Sequence, residues 1–129
     1  IQQLLEDTAI CPLEGIKSIE VAALDNHQIV QLSTLIKNVV IANFAEKEYD
    51  KVFVKSSTGF YKTPEGVPNG ATVATIKLML ENSFPLPVKA AGGVRTYEEA
   101  VEMVQLGVKR IGTSAAKAIA TGEISNSDY

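Results

Sequence analysis

Two lysines end short apolar runs in this chain: Lys55 closes Lys-Val-Phe-Val-Lys (51–55) and Lys89 closes Leu-Pro-Val-Lys (86–89). They lie 34 positions apart, about one strand-plus-helix unit, so neighbouring parallel strands would carry them in one layer. An ammonium in an apolar strand loses hydration, and a second ammonium beside it adds repulsion; both effects penalise the charged form. What they favour is a neutral amine, the nucleophile that attacks a carbonyl to give an imine. Either lysine alone reads equally well as a side chain snorkelling to the wet end of its strand. The pair, with the loops that follow it, favours chemistry.

Those loops are Ser56-Ser57-Thr58-Gly59 after Lys55, Ala90-Ala91-Gly92-Gly93 after Lys89, and Gly112-Thr113-Ser114 after the run 108–111. Gly92-Gly93 would let the backbone approach a ligand, and Gly112-Thr113-Ser114 at a helix start would present N–H groups and a favourable dipole to a phosphate. A Gly-Gly pair by itself is more often a plain turn; its place just after a strand lysine gives it weight.

The elements that must position these residues alternate between strand and helix patterns. Strands are expected at Ile16–Leu24, Lys51–Lys55, Leu86–Ala90 and Val108–Gly112. Helices are expected from Asp25 or Asn26 to about Ala45, over Ala71–Glu81, over Tyr97–Leu106, and from Thr113 or Ser114 to about Ala120, stopped by Gly122. Thr96 with Glu99 three residues on forms a capping-box pattern for the third. Ile1–Thr8 reads as the remnant of a preceding helix, residues 1–15 as that helix with its loop, and residues 124–129 as a polar tail. With no two strands adjacent in sequence, the class is α/β with parallel strands and right-handed crossovers. A small doubly wound sheet is the rival architecture. Polar residues at three consecutive strand ends favour a (β/α)8 barrel, whose catalytic groups gather at the carboxyl ends of its strands. A full barrel takes about 250 residues; this chain has 129. The expectation is therefore a single partial barrel domain, parallel βα units forming the C-terminal half of a TIM barrel.

Composition narrows the function classes. The chain is 46% hydrophobic and 21% charged, with a formal net charge of −3 and interleaved signs. No nucleic-acid footprint is visible, and no apolar run approaches the ~20 residues that span a bilayer. The single cysteine, Cys11, rules out an internal disulfide and fits a reducing compartment, with cytoplasm as the default. The chain opens on Ile1 in mid-pattern, so it reads as cut or shortened at its front.

Four strings in order, VFVKSSTGF (52–60), NGAT (69–72), VKAAGGVRT (88–96) and RIGTSAAKAI (110–119), closely resemble deoxyribose-phosphate aldolase. IKSIEVAAL (16–24) looks like the preceding barrel strand of that family. The resemblance implies a class I aldolase and carbon–carbon lyase of deoxyribonucleotide breakdown. Such an enzyme reversibly cleaves 2-deoxy-D-ribose 5-phosphate to D-glyceraldehyde 3-phosphate and acetaldehyde through a lysine Schiff base. It implies Lys55 as the imine former, Lys89 as the lysine that perturbs its amine and helps move protons, and Gly59, Gly92, Gly93, Gly112 and Ser114 as phosphate-holding positions. It implies no metal and no organic cofactor, since the imine is the electron sink. The partners it implies are a small sugar phosphate and an aldehyde, with no nucleic acid and no membrane.

The family's catalytic aspartate lies on a strand of its first four, and no motif here matches it. Asp7, Asp25 and Asp50 sit in non-matching places, and Glu20, read as lying inside the first strand, matches a family glutamate not assigned to catalysis. A half-barrel leaves two sheet edges and an inner face to cover. Two copies pairing, a complementing half-barrel chain, or a longer parent would each do so. The alternative from another class is a catalytically silent half-barrel that binds sugar phosphate or serves assembly. His27 reads as a solvated first-turn residue, Cys11 as an apolar filler or exposed thiol, Phe60 as packing, and Tyr61–Val67 as a surface loop or mobile lip. Arg95 would touch phosphate or pair with the following helix.

Overall fold

The computed structural model describes residues 15–122. The readings of Ile1–Thr8, Asp7, Cys11 and the tail from 124 fall outside them. Four strands, β1 (Gly15–Ser18), β2 (Val52–Lys55), β3 (Val88–Ala91) and β4 (Arg110–Gly112), alternate with four α-helices. These are α1 (Asn26–Asn43), α2 (Val73–Ser83), α3 (Tyr97–Leu106) and α4 (Ala116–Thr121), with 3-10 turns at Val21–Ala23 and Glu46–Lys51.

All strand pairs are parallel and the spatial order is β1-β2-β3-β4, the order in sequence. A doubly wound sheet reverses direction at its first strand; this one never does. Crossovers of one hand with no reversal set every helix on the same face. Successive helices accordingly pack on one another, α1 on α2, α2 on α3 and α3 on α4. Side chains alternate across the sheet, so Val52, Val54, Val88 and Ala90 enter the core against the helices, beside Ile29, Ile36, Val40, Ile76, Met79 and Met103. The opposite face carries Phe53, Lys55, Lys89 and Arg110. The chain forms a partial (β/α) barrel.

Local chemistry accounts for most boundaries. Asp25 caps α1 by accepting the Gln28 N–H at 2.8 Å, and Gln28 returns the bond to the Asp25 N–H at 3.0 Å. Thr96 and Glu99 do the same for α3, which coincides with its expected span and ends on Gly107 at φ 113°. Other elements differ. The expected strand Ile16–Leu24 ends at Ser18; the Ile19 and Val21 N–H groups still donate to the Lys55 and Ser56 carbonyls at 2.8 and 3.1 Å, and the backbone then winds into the 3-10 turn. Glu20 therefore lies past the strand, not inside it. Helix α2 begins at Val73 because the Ala71 N–H is already bonded to the Ala91 and Gly92 carbonyls, at 3.1 and 2.8 Å. Helix α4 begins at Ala116 because the Thr113 side chain turns the chain first.

Candidate active site

The register places Lys55 of β2 directly across from Lys89 of β3, and Lys89 across from Arg110 of β4. Three cationic side chains thus leave one face of the sheet in one row, Lys55 on the last residue of its strand, Lys89 on the second and Arg110 on the first. The Arg110 guanidinium lies 4.4 Å from the centroid of the Phe53 ring, a cation–π contact that reaches across β3. Both lysines are half-buried.

Directly beyond Lys55, Ser56 is fully buried. Its hydroxyl donates to the Ala91 carbonyl at 2.7 Å and accepts the Ala91 N–H at 2.9 Å, while its own N–H donates to the Lys89 carbonyl at 3.2 Å. One side chain therefore ties the end of the Lys55 strand to the end of the Lys89 strand. In the next turn the Gly59 N–H donates to the Ser57 hydroxyl at 3.0 Å, and Gly59 sits at φ 87°, where a side chain would be strained.

Each strand-end loop leans on the next. Glu20, after β1, accepts the Thr58 N–H with one carboxylate oxygen; the other is buried with no hydrogen-bond partner among the described residues. The Asn69–Thr72 segment before α2 packs backbone to backbone on the loop after β3. A Cβ on Gly70 would stand 2.4 Å from the Ala91 carbonyl oxygen, and one on Gly92 would stand 2.9 Å from the Gly70 Cα. Thr113, after β4, donates its hydroxyl to the Val94 carbonyl at 2.7 Å and accepts the Ala115 N–H at 2.9 Å.

Gly112 faces the second lysine. A Cβ there would lie 2.8 Å from Lys89 Cε, 3.2 Å from the Ala91 Cβ and 3.6 Å from Lys89 Nζ. The Lys89 side chain thus runs over the spot that a β4 side chain would fill.

Of the seven residues singled out from sequence, Lys55 and Gly112 end β2 and β4, and Gly59, Gly92, Gly93 and Ser114 lie in the loops that follow; Lys89 does not close its strand as expected, because β3 runs on through Ala91 and Lys89 is its second residue. Gly92 and Gly93 take φ of 80° and 83°. His27 is exposed in the first turn of α1, as expected. The packing expectation for Phe60 does not hold, because the ring is 87% exposed in a loop that turns away from the core. The segment 61–67 is irregular and mostly exposed. The Arg95 N–H donates to the Glu99 carboxylate at 2.7 Å, so this backbone helps start α3. Ser56, Gly70 and Arg110 carry structural roles that sequence reading missed. Ser56 sits beside a singled-out lysine, but its partner lies 35 residues away. Gly70 stands out in sequence only as part of the NGAT string (69–72).

No family model matches the chain. A deoxyribose-phosphate aldolase of Streptococcus pneumoniae (strain Hungary19A-6) is 43% identical over 94 residues, 72% of this chain and 40% of the relative. Another, from Streptococcus pneumoniae serotype 19F (strain G54), is 49% identical over 78 residues, 60% of this chain and 33% of the relative. The solved structure of QR15, an aldolase, superposes with a TM-score of 0.61 at 28% identity, covering 82% of this chain and 41% of that one. The matched part is thus less than half of the length of these proteins. With the sequence likeness and the partial barrel pointing the same way, the chain is a homologue of the deoxyribose-phosphate aldolases, matching a share of them that fits their C-terminal half.

Proposed function

We propose that this chain carries the imine-forming part of a class I deoxyribose-phosphate aldolase, which reversibly cleaves 2-deoxy-D-ribose 5-phosphate to D-glyceraldehyde 3-phosphate and acetaldehyde. The observation that carries this reading is the pair Lys55 and Lys89, in register on adjacent parallel strands, with Lys55 at the carboxyl end of its strand, where barrel enzymes do their chemistry. The Lys55 amine attacks the aldehyde carbon of the open-chain sugar, and loss of water gives the imine. The bond between carbons 2 and 3 then breaks; its electron pair moves toward the imine nitrogen as the 3-hydroxyl proton leaves, and glyceraldehyde 3-phosphate departs. The enamine takes a proton at carbon, and water releases acetaldehyde and restores the amine. Lys89 stands beside the reacting amine and serves these proton transfers.

In this reading the phosphate lies among Gly59, Gly92, Gly93, Gly112 and Ser114, which end or follow β2, β3 and β4, at the face where barrel enzymes hold phosphate. The imine supplies the electron sink, so neither metal nor organic cofactor enters the steps. A second copy of the chain, a complementing half-barrel or the rest of a longer parent supplies the other half of the inner wall.

Incubation with acetaldehyde and borohydride, followed by peptide mass spectrometry, tests the reading. The expected product is N-ethyl-lysine at position 55, absent from Lys55→Met. An adduct spread over surface lysines, or none at all, would favour a catalytically silent half-barrel that binds sugar phosphate or serves assembly.

A further inference from the structure

We propose that Gly112 is the positioning residue for Lys89: the side chain it lacks is the space in which the Lys89 ammonium arm lies. The inference rests on the aldolase reading and gives Gly112 a role separate from holding phosphate. Register puts Lys89 and Ala91 of β3 on the same face as Arg110 and Gly112 of β4, with Ala91 the Cα partner of Gly112. A Cβ at position 112 would come within 2.8 Å of Lys89 Cε and 3.2 Å of the Ala91 Cβ. Carbon atoms make van der Waals contact at about 3.5–4.0 Å, so something must give way. Ala91 is buried and fixed by Ser56 through both of its backbone polar groups. The far end of Lys89 is the movable party, and displacing it shifts the ammonium by a distance that matters to proton transfer. Conformation does not explain the glycine, since Gly112 is not among the glycines with positive φ.

The test uses the complete chain and acetaldehyde, which carries no phosphate, so loss of phosphate binding cannot affect the readout. Rates of borohydride-trapped adduct at Lys55 are measured for the unaltered chain, Gly112→Ala, Lys89→Met and the double variant. Gly112→Ala is expected to slow trapping about tenfold and to add nothing further in the Lys89→Met background, because both changes act through one ammonium. Trapping unchanged in Gly112→Ala, or effects that multiply in the double variant, would overturn the proposal. If Gly112→Ala folds poorly, thermal unfolding decides: Lys89→Ala, which removes the Cε that the new methyl would meet, should restore the loss when combined with Gly112→Ala, and failure to do so counts against the seat. Absence of adduct in the unaltered chain indicts the aldolase reading instead, which keeps the two failures apart.

Discussion

Ser56 has no place in the proposed chemistry, yet more of the site hangs on it than on any phosphate loop. Its hydroxyl satisfies the N–H and shares the carbonyl of Ala91, deep in the sheet, and no water reaches it. Ser56→Ala leaves a buried donor unmet, at a cost of about 1–3 kcal/mol, readable as a lower urea midpoint with unchanged slope. Because the same bonds align the ends of the two lysine strands, adduct formation at Lys55 is expected to fall as well. At this scale the lysines were legible in sequence, since each closes an apolar run in which a charge has no packing reason to be. The roles of Ser56 and Gly112 were not. One depends on a partner 35 residues away and the other on a neighbouring lysine arm, and neither leaves a trace in local pattern.

Elements were readable where their ends are set by neighbours in sequence. Helix α3 coincides with its expected span because Thr96, Glu99 and Gly107 lie within it or beside it. Starts set by tertiary bonds were missed: α2 waits until Ala71 is released from the β3 loop, and α4 until Thr113 has bonded to Val94. The junction of α2 with β3 is the most exacting of these. Gly70→Ala would press a methyl onto the Ala91 carbonyl oxygen at 2.4 Å and the Gly92 Cα at 2.6 Å, backbone atoms that cannot swing aside. A loss of about 3 kcal/mol or more is expected, with thermal unfolding as the check. A smaller loss would show that the 56–72 segment can re-route. The family of folds was legible from the unbroken alternation of patterns, and the sheet order without reversal settles it against the doubly wound rival.

Taken whole, the described chain is a four-stranded sheet with helices on one face and an opposite face bearing Lys55, Lys89 and Arg110. Strands β1 and β4 are both edges, and Ile16, on the uncovered face, is 40% exposed. Edges of this kind invite pairing. Light scattering is expected to give at least twice the chain mass of 13.8 kDa, falling when charges are placed on the β1 edge. A monomer at all concentrations would argue against self-pairing, leaving a different chain or a longer parent to cover this face.

The ties among loops, Glu20 to Thr58, Gly70 to Gly92 and Thr113 to Val94, join each unit only to its neighbour. Such an arrangement has no keystone. Units can be appended or removed at either end during descent while the interior ones keep the loop ties between them, as in stacked repeats whose stability sums over neighbours. The same property gives a modular ancestry a physical route: what must be inherited together is a pair of adjacent units, and here the pair that carries Lys55 and Lys89 lies in the middle of the four.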